Sequence, residues 1–210
     1  MITLYGHGTP NPYKVSIALE EMELPYQVKL VDMFAGETQT PEFLAVSPAG
    51  KIPAITDGNQ SVCESNVILT YLAEKTEKFQ PSDTQSRLRM HELLGIQSSL
   101  QGPMFGQRAH FTMFAPETVP YGIRRYEEQA AVVDTTVDRL LGDGSFFMGE
   151  DYTIVDMAFF GWYFPAYRSG YLDDAPKAVR AWYDRVAARP AVQRGIDAFP
   201  LFDLPERKVA

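Results

Sequence analysis

Apolar residues along the chain change their rhythm once. Up to about residue 76, short apolar runs alternate with helical stripes; beyond about residue 87 only helical stripes remain. "ITLY" (2–5) is a β-prone run closed by Gly6 and reads as a buried strand. In "PYKVSIALEEMEL", Val15, Ala18, Leu19 and Met22 recur at helical spacing, with Asn11 placed as N-cap and Pro12 as first helical residue. "YQVKLVDM" (26–33) alternates Tyr26, Val28 and Leu30, so a second strand follows, parallel to the first through a crossover. "PEFLAV" is a short helical turn. "IPAIT" and "QSVC" meet at Asp57-Gly58-Asn59 and predict an antiparallel hairpin. "SNVILTYLAEKT" (65–76) is a helix, with Val67, Leu69, Tyr71 and Leu72 among its apolar positions. The order is βαβ, then ββα.

"EKFQPSDTQSR" (77–87) is polar, contains proline and carries no apolar period, as a linker would. Leu88, His91, Leu94 and Leu100 then open a helical segment. A long helix is expected over 118–144, with Ile123, Tyr126, Ala130, Val133 and Val137 in its stripe and glycine at its end. "TIVDMAFFGWYFPAY" opens with Thr153 and, three residues on, Asp156, a variant of the capping box. "PKAVRAWYDRVAARP" turns Val179, Trp182, Tyr183 and Val186 inward and stops at Pro190. The pattern predicts an α/β domain over 1–78, a linker over 79–87 and an all-helical domain over 88–210.

Composition narrows the function. With 19 basic and 27 acidic residues the net charge is −8, a poor match to nucleic-acid phosphates or anionic membranes. No apolar run reaches membrane-spanning length, and "MITLYGHG" lacks the basic and apolar regions of a signal peptide. The one cysteine, Cys63, has no internal partner, which together with the rest favours a reducing cytoplasm. Histidine and cysteine are too sparse for a metal site.

Two constellations carry chemistry. In "KIPAI", Pro53 precedes a strand, a position compatible with a tight turn and a cis bond. Ile52 could then pair its backbone with an extended peptide; a plain strand-entry proline is the simpler alternative. In "CES", Glu64 and Ser65 open a helix. Ser65 reads as its N-cap, and the same geometry offers N–H groups and a hydroxyl to a ligand carboxylate while Glu64 meets an ammonium. Capping alone would also explain the pair.

"SPAGKIPAI" followed by "ES" and a helix resembles the glutathione-binding half of the cytosolic glutathione transferases, and "YTIVDM" resembles the capping motif of their helical half. "TPNPYKV", "TPEFL" and "GPMFGQRAHFTMFAPETVPYGIRRY" resemble one subgroup, the bacterial nu-class transferases and the transferase-like domain of the yeast nitrogen regulator. The likeness runs from Met1 to about Pro200. It implies a thioredoxin-like domain followed by a helical domain, a homodimer, and glutathione as cosubstrate with no metal. It further implies that Lys51 approaches the glycine-end carboxylate, Ile52 pairs with the cysteine, and Pro53 is cis. Glu64 and Ser65 would hold the γ-glutamyl end, with Gln39 and Arg125 as further ligand contacts. Thr9 and Asn11 would sit beside the sulfur.

The implied chemistry is physically consistent. A free thiol ionises near about 8.5, and hydrogen bonds to the thiolate lower that value. Residues 9–12 offer a hydroxyl, an amide and a helix N-terminus. Tyr5 lies inside a strand and is expected to pack. His7 reads as a bystander, Cys63 as small filler and Ser16 as structural. The loop has no cysteine, which argues against a mixed disulfide on the protein. The segment 102–117 is either helix packing or the wall of a second-substrate site. Three functions stay open: reduction of disulfides and organic hydroperoxides by bound glutathione, conjugation of glutathione to carbon electrophiles in detoxification, and a non-catalytic glutathione-binding regulator.

Overall fold

The computed structural model describes residues 1–206 and 208. Four strands form one mixed sheet in the order β2-β1-β3-β4. β1 (Ile2–Gly6) runs parallel to β2 (Tyr26–Leu30) and antiparallel to β3 (Ala54–Asp57), which forms a hairpin with β4 (Gln60–Cys63). Leu4 stands opposite both Val28 and Ile55, so the centre of the sheet is apolar. Helices α1 (Pro10–Glu21) and α3 (Ser65–Thr76) pack together against the sheet; α2 (Pro41–Leu44) is a single turn in the loop before β3.

The helical part begins earlier than expected. α4 (Thr84–Ile96) is capped by Asp83, whose carboxylate accepts from Ser86 N–H at 2.9 Å, so the polar stretch before Leu88 is partly helix. π-helical turns at Gln97–Gln101 and His110–Phe114 bracket α5 (Gly102–Ala109), and the helix runs on through both. α6 (Pro120–Leu141) ends at Gly142, whose φ is +54°. The capping box forms at α7 (Ile154–Arg168): Asp156 Oδ2 accepts from Thr153 N–H at 2.9 Å. Asp156 is fully buried, and burial lifts its carboxyl to about 6. α8 (Lys177–Ala187) is followed by α9 (Pro190–Asp197), so Pro190 starts a helix where an end was expected, as proline at N1 allows.

The two parts share one core. α1 lies against both α7 and α9. Glycines permit the approach: a Cβ on Gly161 would meet Pro10 O at 2.7 Å, and one on Gly195 would meet Ile17 Cα at 2.6 Å. Trp182, Tyr163, Phe159 and Phe160 fill the centre of the helical part. Among the described residues no helix is long and apolar enough to cross a membrane.

Candidate active site

A cavity of about 570 Å³ opens between the β1–α1 loop, the loop before β3, and the helices α5 and α7. Thr9, Asn11, Gln39, Lys51 and Ile52, all singled out from the sequence, line it. Pro53 is buried next to the cavity, and its bond to Ile52 is cis. Glu64 and Ser65 are outside the lining. The register Ala54↔Cys63 nevertheless sets Pro53 and Glu64 side by side, one residue beyond the hairpin ladder. Arg125 is exposed on α6, away from the lining.

The β1–α1 loop differs from expectation in one respect. Thr9, not Asn11, is the N-cap, with Pro10 at the first helical position. Its hydroxyl caps nothing: it turns toward His7 O at 3.5 Å, and of the two positions that could donate to it, N3 is Pro12, which has no N–H. Thr9 N–H bonds to His7 O at 2.6 Å. The prolines at 10 and 12 leave Asn11 as the one residue of N1–N3 with a backbone N–H. That N–H has no partner among the described residues. Asn11 Oδ1 accepts from Trp162 Nε1 at 2.9 Å.

At α3 the cap is Glu64, not Ser65. Glu64 has φ +69° and ψ 112°, an unfavourable backbone for a residue with a Cβ. Neither carboxylate nor hydroxyl caps the helix, so capping does not account for the pair. Ser65 Oγ instead faces Lys14 Nζ at 3.2 Å. Lys14 is 2 % exposed and also reaches Gln97 Oε1 at 2.7 Å and Asn66 Oδ1 at 3.4 Å. Burial lowers its pKa to about 7, and Glu64 pulls the other way.

The loop before β3 is pinned from within. Ser47 Oγ donates to Lys51 O at 2.8 Å. Gly50 has φ +60°, and a Cβ there would lie 2.5 Å from Gln39 Nε2, so this glycine lets the Gln39 amide approach the loop. Ile52 makes no backbone–backbone hydrogen bond among the described residues.

The opposite wall is aromatic. Phe105, Met113 and Phe114 line it, so the segment 102–117 both packs the helix and faces the cavity. The C-terminal tail adds Phe202 and Leu204. Phe202 stacks on Phe34 at 5.6 Å and meets Phe114 at 6.0 Å, and its carbonyl accepts from Arg168 Nη1 at 3.1 Å. Arg108, which also lines the cavity, stacks over Tyr171 at 3.6 Å. Tyr5 packs against Phe43 and lies off the cavity, whereas Tyr13 lines it. Ser16 bonds to Gly195 O at 2.6 Å, and Cys63 is half-buried at the end of β4. Lys14, Trp162, Tyr13 and the tail escape a reading of motifs, because their partners come from distant elements.

A thioredoxin-like sheet joined to a helical part, with a cavity between them, defines the class of the glutathione transferases. The chain matches the glutathione S-transferase N-terminal domain over residues 1–74 and the C-terminal domain over 122–185. It is 38% identical to the disulfide-bond oxidoreductase YfcG of Escherichia coli, over 93% of this chain and 94% of that protein. A glutathione transferase family member from Pseudomonas fluorescens, solved with two glutathione bound, superposes with TM-score 0.85 at 36% identity, covering 97% of this chain and 93% of that one. A glutathione transferase from Pseudomonas putida, solved with one glutathione disulfide per subunit, superposes with TM-score 0.85 at 34% identity, covering 93% and 90%. The chain belongs to the glutathione S-transferase family, and within it to the nu-like type.

Proposed function

We propose that this protein is a cytoplasmic homodimeric enzyme that binds glutathione in the cavity and uses its thiolate to reduce disulfides and organic hydroperoxides. The observation that carries the reading is the β1–α1 loop: Thr9 and Asn11, a hydroxyl and an amide able to donate, line the cavity, and no cysteine stands among the lining residues. The sulfur must then come from the ligand. The thiolate attacks a substrate disulfide, forming a glutathionyl mixed disulfide and releasing one thiolate. A second glutathione attacks that mixed disulfide, giving glutathione disulfide and the second thiol. Two electrons pass from two glutathiones to the substrate. The names and bound ligands of the relatives agree with this sequence of steps.

In this reading Ile52 pairs its free backbone groups with the cysteine of glutathione, Lys51 meets the glycine-end carboxylate, and Gln39 adds an amide. Glu64 and Ser65 take the γ-glutamyl end. Arg125, exposed on α6 and outside the lining, is given no contact in this reading. The aromatic wall of Phe34, Phe114 and Phe202 supports a second reading, conjugation of an apolar electrophile.

Each hydrogen bond to the thiolate is worth about 1.5–3 kcal/mol, or about one to two units of thiol pKa. Thr9→Ala and Asn11→Ala are therefore each expected to lower glutathione-dependent reduction of 2-hydroxyethyl disulfide about tenfold at neutral pH. Undiminished reduction in both single variants and the double variant would remove the loop from the mechanism. Conjugation of chlorodinitrobenzene, assayed in parallel, separates the two readings. Glutathione binding without either activity would leave only a binding protein.

A further inference from the structure

Asn11 can serve a thiolate with one end of its amide only. The NH2 group donates to an anion, whereas the carbonyl oxygen opposes it. A free asparagine side chain presents either end at the cost of a half-turn. Here that turn is blocked by a residue 151 positions away in the chain. The indole N–H of Trp162 is a donor with no acceptor capacity, and it lies 2.9 Å from Asn11. The atom facing it is therefore Oδ1, and Nδ2 is the end left over. Both residues line the cavity.

The indole itself is held in place. α5 presents two glycines to it: a Cβ on Gly102 would lie 3.5 Å from Nε1, and one on Gly106 would lie 3.2 Å from Cη2. A side chain at Gly106 would press on the ring, whereas one at Gly102 would only touch it. The indole thus fills a slot between α5 and the start of α1, with its N–H turned toward α1.

We propose that Trp162 is a positioning residue for the thiolate: its indole N–H holds the Asn11 carbonyl away from the cavity, so that the amide NH2 faces the glutathione sulfur. This rests on the thiolate-holding role given to Asn11 under Proposed function. The helical part then contributes to thiol activation through one hydrogen bond, without touching the sulfur.

Trp162→Phe keeps an aromatic ring against Gly102 and Gly106 and removes the N–H. The pKa of the bound glutathione thiol, read from the ultraviolet absorbance of the thiolate, is expected to rise by about one unit. Reductase kcat/KM below that pKa is expected to fall about threefold, since the loss of thiolate is partly offset by its greater nucleophilicity, and to recover at higher pH, while affinity for S-methylglutathione stays within about twofold. In an Asn11→Ala background the same substitution should leave the thiol pKa unmoved, because its effect runs through Asn11. A merely structural role would shift affinity and stability without this pH signature.

An unchanged thiol pKa in Trp162→Phe, with a raised one in Asn11→Ala, overturns the proposal and leaves the thiolate reading standing. An unchanged pKa in both variants overturns the two together. If Trp162→Phe does not fold, the side-chain amide resonances of Asn11 in the wild-type glutathione complex decide the matter. They should titrate with the thiol, and a flat response overturns the proposal.

Discussion

Two helices begin at or beside the same cavity, and their first turns are built in opposite ways. α3 starts at a strained glutamate, and the backbone N–H groups of Ser65, Asn66 and Val67 have no partners among the described residues. α1 starts at Thr9 and has prolines at its first and third positions, so Asn11 alone supplies a free N–H there. The first is a strong anion site by the ordinary logic of helix N-termini, and a buried lysine stands behind it. The second has been stripped of donors. On the proposed function the difference matches the two charges to be held. The γ-glutamyl carboxylate is always ionised and is only bound. The sulfur must be ionised and still be nucleophilic, so fewer and individually placed donors suit it.

The comparison breaks most readily at α3. Ser65→Ala removes the hydroxyl donor and leaves Lys14 without one of its acceptors. Hydrogen bonds to charged groups are worth about 1.5–3 kcal/mol, so the affinity for S-methylglutathione is expected to drop about 10- to 150-fold by titration calorimetry. The thiol pKa of bound glutathione should stay within a few tenths of a unit, because the sulfur sits at the other helix. A large shift in that pKa would show that the two N-termini do not divide the work.

Lys14 sharpens the same contrast through pH. Its pKa is lowered to about 7 in the folded protein by burial. The unfolded chain, with an ordinary lysine near about 10.4, therefore binds more protons between those two values. Stability rises with pH across that window, and the penalty for burying the charged form is fully present below about 7. Relative to Lys14→Met, the wild type should gain stability between about pH 7 and 10 in urea titrations and run parallel below. A ligand carboxylate near Ser65 favours the ammonium, so binding of S-methylglutathione should be accompanied by proton uptake and weaken by up to about fivefold from about pH 7 to 8. In Lys14→Met this dependence should vanish. A wild type and variant with the same pH slope would show that Lys14 is not coupled to the site.

These contrasts also explain what could be read from the sequence. The succession of strands and helices, the hairpin at Gly58-Asn59 and the box of Thr153 and Asp156 are local, so their residues announce them; the pairing of β1 with β3, about 50 residues apart, is not. Thr9, Asn11, Lys51 and Ile52 reach the cavity because a short loop or a strand entry cannot place them elsewhere. Both cap assignments slipped by one or two residues for related reasons. Pro10 and Pro12 are each acceptable in a first turn, so the helix start is ambiguous from composition; Ser65 is a good cap by type, and nothing local reveals that Glu64 takes a positive φ. Pro190 was ambiguous in the same way, since a proline both follows helices and opens them. The partners of Lys14 and Trp162 lie 83 and 151 residues away in Gln97 and Asn11, and no pattern within one helix encodes them.

The smallest effect tests the comparison most directly, by making α1 more like α3. Pro12→Ala restores an N–H at the third helical position. That N–H either stays free, adding to the positive end of the helix, or donates to Thr9 Oγ1 as in an ordinary cap. In the first case it attracts the thiolate directly. In the second it polarises the Thr9 hydroxyl and strengthens its O–H as a donor. Both routes lower the thiol pKa, and a single N-terminal contribution of about 0.3–1 kcal/mol corresponds to about 0.2–0.7 units. A lower pKa yields more thiolate but a weaker nucleophile, with a sensitivity of about 0.4–0.5 in the Brønsted sense. Reduction of 2-hydroxyethyl disulfide should therefore rise slightly below the thiol pKa and fall slightly above it, so that the two pH profiles cross. Pro12→Ala with an unmoved thiol pKa and a profile superposable on the wild type would show that the missing donors at α1 have no bearing on the sulfur.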